Sequence, residues 1–305
     1  TNLNAIAENF RQSGINSIAL AGILLSILGL GFKIAAVPMH FYTADVYEGA
    51  AAQVSAFLAF VPKTAGFLAL LLLTATMGWV YAPGSTGLSG DPIVPVQGGT
   101  HLPEVVRVLL WVIAALTMTV GNVLAILQTS VKRILAYSSI AHSGYMLVGV
   151  IAGPGDGSFA QNGLSAVLFY LLAYGVMNVG TFAVIAALER KPGREGGREV
   201  ESVDDLRGLW ASHPALALAM TVCSLSLLGL PPLLGFFGKL PLFTSAIAAG
   251  EIPLVLVLGV NSAIAAFYYL RLAFVPMLEP VDVGSEPTVI SPFRSRKLGA
   301  LISAV

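Results

Sequence analysis

Residues 225–240 read LSLLGLPPLLGFFGKL, inside an apolar run that extends over roughly 214–249. A straight helix beginning at Pro214 would carry Lys239 about 38 Å along its axis. The hydrocarbon core of a bilayer is only about 30 Å thick. Yet the run stays apolar as far as Ala249. The conflict resolves if the helix is interrupted. Leu230-Pro231-Pro232 is the place, because proline removes a backbone donor and clashes with the preceding turn. Gly229, Gly235 and Gly238 flank it, and helix is expected to resume around or after Gly235. Non-helical backbone at membrane depth is tolerated only where protein or water satisfies it. A lysine beside such a break marks an ion or proton site.

The rest of the chain agrees with a lipid-facing fold. Of 305 residues, 56% are hydrophobic and 10% are charged, with a mean hydropathy of +0.83. Soluble domains carry about 25% charged residues. The formal net charge is zero, which argues against a nucleic-acid partner. The single cysteine, Cys223, can form no intrachain disulfide. The chain starts without an initiator methionine or a signal peptide, and an apolar run that opens at Leu298 stops at Val305. It is therefore expected to be the middle of a longer polypeptide.

Runs able to cross a bilayer lie at approximately 15–37, 51–81, 105–127, 134–152, 163–188, 214–249 and 252–277, with a truncated one at 298–305. They are identified by hydropathy, and none alternates as a spanning strand would. The expected fold is an all-α, polytopic transmembrane helix bundle, one membrane domain over 1–305. Lys132, Arg133, Arg190, Lys191, Arg194, Arg198, Arg207, Arg294, Arg296 and Lys297 fall in alternate loops, while the loops at 82–104, 153–162 and 250–253 hold no Lys or Arg. The positive-inside rule assigns the basic loops to the cytoplasm. The mixed-charge segment 189–207 reads as a solvated linker.

Three lysines remain inside spans: Lys33, Lys63 and Lys239. Each costs about 2.5–3.5 kcal/mol at a helix centre, so it persists where it faces a bundle interior or a hydrated path. Lys33 lies near a span end, so snorkelling to the interface is an open alternative there. Lys63 follows Pro62 deeper in its span, where snorkelling is harder. The first span has its own glycine- and proline-marked interruption, Gly29-Leu-Gly-Phe-Lys33 and then Pro38. Two broken, lysine-bearing helices five spans apart point to an internal repeat. No acidic residue lies mid-span, so a carboxylate partner is expected from a missing N-terminal portion or a neighbouring subunit. His142 is the only histidine deep in a span, with Ser138, Ser139 and Tyr145 close by on its helix. A hydrogen-bonded structural histidine and a proton relay both fit it. There is no CxxC, no paired-histidine spacing and no glycine-rich phosphate loop after a strand. No metal, cofactor or redox site is expected in this chain.

Three stretches carry a resemblance: GLGFKIAAVPMHFYTADVYEGA at 29–50, GNVLAILQTSVKRILAYSSIAHSGYM at 121–146, and the 225–240 stretch quoted above. Together they resemble the proton-translocating, antiporter-like membrane subunits of NADH:quinone oxidoreductase (complex I). Asp45-Val-Tyr-Glu-Gly49 is similar to one of that family's three sister subunits more than to the others. The resemblance covers nearly the whole chain, with the seventh to about the thirteenth of some fourteen family helices present. It implies an antiporter-like fold with inverted repeats and broken helices. It also implies channel-lining roles for Lys33 and Lys63, an exit role for Lys239, and a glutamate partner on a helix outside this chain. Tyr42, Ala44, Pro62 and Pro241 depart from the family's usual residues.

The function implied is proton translocation along buried lysines, coupled to electron transfer in other subunits of a respiratory, quinone-reducing complex in a bacterial cytoplasmic membrane. His142 joins Lys33, Lys63 and Lys239 as a candidate for proton transfer. The alternatives are a cation/proton antiporter or a membrane-bound hydrogenase subunit on the same scaffold, and a membrane scaffold whose lysines merely snorkel.

Overall fold

The structure, a computed structural model, describes residues 3–77, 102–155, 161–189 and 200–278. The 298–305 run, most of the 82–104 loop and residues 190–199 of the linker lie outside them. The helices are α1 (Leu3–Ser13), α2 (Ser17–Lys33), α3 (Thr43–Gly49), α4 (Ala52–Met77), α5 (Glu104–Ile126), α6 (Val131–Ala152), α7 (Gly163–Leu188), α8 (Leu209–Ser212), α9 (Pro214–Leu228), α10 (Leu234–Ala248) and α11 (Ile252–Leu278). Among the described residues the only pairing outside helices is one antiparallel bridge, Ser130 to Ser202.

Five of these helices, α4 to α7 and α11, are long and apolar enough to cross a bilayer alone. Helices α9 and α10 have 15 residues each, or about 22 Å of rise apiece, so neither spans a core of about 30 Å by itself. They are the two halves of the run at 214–249. The interruption falls where the prolines place it, and helix resumes at Leu234, one residue before Gly235.

Helix α6 is the axis of the bundle. Apart from Arg133 and Tyr137, all its residues are buried. Its closest neighbour is α5, because glycines let the backbones touch. A Cβ at Gly144 would stand 2.7 Å from the Met118 nitrogen, and one at Gly121 would stand 2.7 Å from the Ala141 nitrogen. Only hydrogen fits at either position, the small-residue contact typical of membrane helices. The outward faces of α2, α4, α5 and α11 stay apolar and exposed, with Leu25, Phe57, Leu72, Val105 and Leu256 among them. Lipid or a neighbouring protein is the solvent such faces require.

At the two interruptions the chain needs partners for stranded backbone groups. After α2, Ala36 N bonds to Gly31 O at 2.8 Å, with Ala35 turned to φ 59°. Val37 N donates to Thr117 Oγ1 at 2.9 Å, and Ser143 Oγ donates to Ile34 O at 2.7 Å. After α9, Gly229 adopts φ 92° and its nitrogen bonds back to Leu225 O and Ser226 O. This is the left-handed helix ending that glycine permits without strain. Ser226 Oγ then accepts the Gly235 N–H at 3.0 Å, meeting an open donor at the start of α10.

Two loop assignments need correction. The end of the 189–207 linker is packed rather than solvated. Val131 N bonds to Glu201 O and Val203 N to Thr129 O, while Val200, Val203 and Leu206 are buried. Apolar residues at three-residue spacing give this otherwise charged segment one adhesive face. Lys132, counted above with the loops, opens α6 and is buried. Its Nζ lies 2.7 Å from Glu189 Oε1 and 3.3 Å from Ala50 O, at the ends of α7 and α3. Arg133 pairs with Asp45 and Glu48 of α3.

Candidate functional site

Lys63 follows a proline inside α4 and points at α6, where it is 2% exposed. Its Nζ donates to Ser139 O and, at 2.8 Å, to Ser143 Oγ. Tyr174 of α7 donates to Ser139 Oγ at 2.7 Å, and its ring lies 5.9 Å from the amine. An ammonium carries three donors, so burial is tolerable only against acceptors such as these.

One helical turn links that cluster to His142. The imidazole is fully buried, with Nδ1 2.6 Å from Tyr170 OH and Nε2 2.6 Å from Tyr269 OH. Tyr269 OH in turn hydrogen-bonds Ser138 Oγ. A neutral imidazole has one donor and one acceptor nitrogen, and a phenol both donates and accepts. The line Ser138–Tyr269–His142–Tyr170 is therefore a run of groups that can each hand on a proton by exchanging donor and acceptor roles.

Lys239 sits on α10, 5% exposed. Its Nζ donates to Leu228 O, at the end of α9, at 2.8 Å and lies 5.0 Å from the Tyr145 ring centroid. The amine thus meets a carbonyl that the interruption strands, at the helix end where a cation is favoured. Tyr145 belongs to a second buried cluster. It accepts from Asn122 Nδ2 at 2.9 Å, Asn122 Nδ2 also reaches Asn261 Oδ1 at 3.2 Å, and Tyr268 donates to Asn122 Oδ1 at 2.9 Å. The rings of Tyr268 and Tyr269 are 4.4 Å apart. On α6, His142 stands one turn from Ser139, whose carbonyl Lys63 reaches, and one turn from Tyr145, whose ring Lys239 approaches.

Of the four residues singled out in the sequence, Lys63, His142 and Lys239 are brought into one buried polar interior. Lys33 is not. It ends α2 with its side chain exposed, and Phe32, Phe41 and Val46, close to it in the chain, are exposed as well. Its stem packs near Gly66 of α4. Among the described residues, no ion pair involves Lys33, Lys63 or Lys239. Sequence reasoning missed Tyr170, Tyr174, Tyr268, Tyr269, Asn122 and Asn261. The signal was present as polar residues deep inside spans, with Tyr170 and Tyr174 one turn apart on a single face.

A family model described as "NADH:quinone oxidoreductase/Mrp antiporter, TM" matches residues 1–84 and 97–265. The subunit N of NADH-quinone oxidoreductase from Trichlorobacter lovleyi is 43% identical over 282 residues, which is 92% of this chain and 51% of that relative. The chain spans about half the length of the curated relatives it matches. A chain of respiratory complex I from Thermus thermophilus, solved with bound aureothin, superimposes with a TM-score of 0.69 at 32% identity. It covers 99% of this chain and is itself 60% covered. A chain of the Mrp complex from a Dietzia species gives a TM-score of 0.69 at 26% identity, over 88% of this chain and 44% of that one. The fold is that of the antiporter-like membrane subunits, with their broken helices.

Proposed function

The chain belongs to the NADH:quinone oxidoreductase/Mrp antiporter membrane family and is a multi-pass membrane protein, and from that premise we propose that it is the proton-conducting part of a subunit of the N type in a bacterial respiratory complex I. Protons move along Lys63, His142 and Lys239, driven by electron transfer that takes place in other subunits. Lys33 joins them once a carboxylate from a helix outside this chain covers its exposed face. The bacterial cytoplasmic membrane is the expected location, with the other membrane subunits of the complex as partners.

The single observation that carries this reading is the placement of two buried lysines, neither in an ion pair among the described residues, around a histidine held by two tyrosines. A scaffold has no use for buried amines without a carboxylate, each of which lowers stability. The likeness to the Mrp complex chain supports a second reading, cation/proton exchange on the same scaffold.

The test uses the intact complex, purified and reconstituted into vesicles. Lys63→Met is expected to abolish most NADH-driven acidification while the complex still assembles. Normal acidification at normal turnover would overturn the role. Proton movement driven by a sodium or potassium gradient, without NADH, would support the exchange reading instead.

A further inference from the structure

The Ser143 hydroxyl stands between two groups that the proposed function treats separately. Lys63 Nζ donates to its oxygen at 2.8 Å, and that oxygen donates to Ile34 O at 2.7 Å. Ile34 is the first residue after α2, in the interruption that carries Lys33 at its edge. All the backbone and hydroxyl atoms concerned are buried: Ser143 is 0% and Ile34 1% exposed.

A serine hydroxyl owns one hydrogen and two lone pairs. While Lys63 is an ammonium it offers only donors, so Ser143 accepts from it, and its one hydrogen favours Ile34 O at 2.7 Å over the longer contact with Ser139 O at 3.2 Å. A neutral amine keeps a lone pair that needs a donor, and an unmet polar site is costly in a dry interior. Among the described residues, the hydroxyl hydrogen within reach of that lone pair is the one on Ser143. Turning it toward Lys63 takes it from Ile34 O. The two bonds therefore exclude each other.

We propose that Ser143 is a positioning residue that reports the protonation of Lys63 to the interruption after α2, holding Ile34 when Lys63 is charged and releasing it when Lys63 is neutral. The inference rests on the proton-transfer reading of Lys63. The titratable groups around this cluster are Tyr174 on α7, Tyr47 on α3, His142 on α6 and Lys33 on α2, whose stem lies by Gly66, one turn from Lys63. None of them stands between Lys63 and Ile34, and Ser143 does. A released Ile34 carbonyl loosens a turn that already holds Ala35 at φ 59°, so the segment has strain ready to relax.

The experiment is hydrogen exchange of the peptide containing Gly31–Val37 in the intact, reconstituted complex, across a range of pH and corrected for the chemical exchange rate. In the unmodified protein, corrected exchange should rise on the alkaline side by about fivefold, the population change that corresponds to one net hydrogen bond. Lys63→Met, with no titratable group, should remove the pH dependence. Ser143→Ala should remove it as well, leaving the segment loose at every pH, and Ser143→Thr should restore it. A flat profile in the unmodified protein would overturn the proposal, as would a pH dependence that survives Ser143→Ala. Proton pumping, measured on the same vesicles, separates the two ideas. Loss of pumping in Lys63→Met together with a flat exchange profile in the unmodified protein refutes the Ser143 link alone, whereas undiminished pumping in Lys63→Met refutes the proton path.

Discussion

At the first interruption, between Lys33 and Thr43, the stranded backbone is met by hydroxyls and by the chain itself: Thr117 takes Val37 N, Ser143 gives to Ile34 O, and Tyr42 gives to Phe32 O at 2.8 Å. At the second, between Leu228 and Leu234, a stranded carbonyl is met by the amine of Lys239. The first lysine stands clear of its own break, exposed, while the second is folded back into it. Hydroxyls fix backbone without a change of charge. An amine that fixes backbone makes the geometry of the break depend on its own charge, because a charged donor bonds more strongly than a neutral one. The second break is thus suited to couple proton release to a local rearrangement. The first is suited to be moved from outside, through Ser143 on one side and whatever covers Lys33 on the other.

Beyond Lys239 itself, the larger effect within this comparison belongs to the tyrosine–histidine line beside the second break. Tyr269→Phe keeps the ring but removes the hydroxyl that joins His142 Nε2 to Ser138. Proton translocation by the reconstituted complex should slow about tenfold. That is below the ~10²–10⁴-fold of a lost acid–base group, since a water can occupy the vacated space. An unchanged rate would take Tyr269 out of the path.

A smaller effect follows from conformation. Gly229 holds φ 92°, and a Cβ there would meet Lys239 Cδ at 3.0 Å. Gly229→Ala should destabilise the second break by about 1–2 kcal/mol through the left-handed backbone alone. It should also push Lys239 off Leu228 O, so a lower thermal midpoint of the complex should come with weaker pumping. At the first break the opposite substitution applies. Ala35 already pays the left-handed penalty at φ 59°, so Ala35→Gly should leave stability unchanged or raise it by up to about 1 kcal/mol. A fall in the thermal midpoint would show that the Ala35 methyl, itself buried, contributes more by packing than its backbone costs.

Hydropathy and proline placement made the long apolar helices and both interruptions legible from the chain alone, but not the short, more polar α1 and α3, which carry no spanning run. Lys63 and Lys239 were legible for the same reason, as charges in runs that have no other use for them. Side-chain direction was not. Lys33 and Lys239 look alike in sequence, each a lysine near glycine and proline in an apolar run, yet one faces outward and the other inward. Which face a helix turns to its neighbours is decided by tertiary packing, here by the α5–α6 contact through Gly121 and Gly144 that fixes α6 at the centre. Lys132 was misread because its position next to a polar turn hides the fact that α3 and α7 end around it. The tyrosines escaped notice because an aromatic residue in a span scores as apolar, although its hydroxyl is what joins His142 to its surroundings.

The central claim is that Lys239 releases a proton at a broken helix, rather than merely capping it. Lys239→Ala and Lys239→Arg, compared for proton translocation and NADH turnover in the reconstituted complex, separate these roles. Arginine keeps a charged donor for Leu228 O but holds its proton at any physiological pH. Assembly should therefore survive in both variants. Proton release should fall by about 10²-fold in both, the scale of a lost proton-transfer group. Full pumping at normal turnover in the arginine variant would contradict the account, since a residue that cannot let go of its proton would then be doing the work.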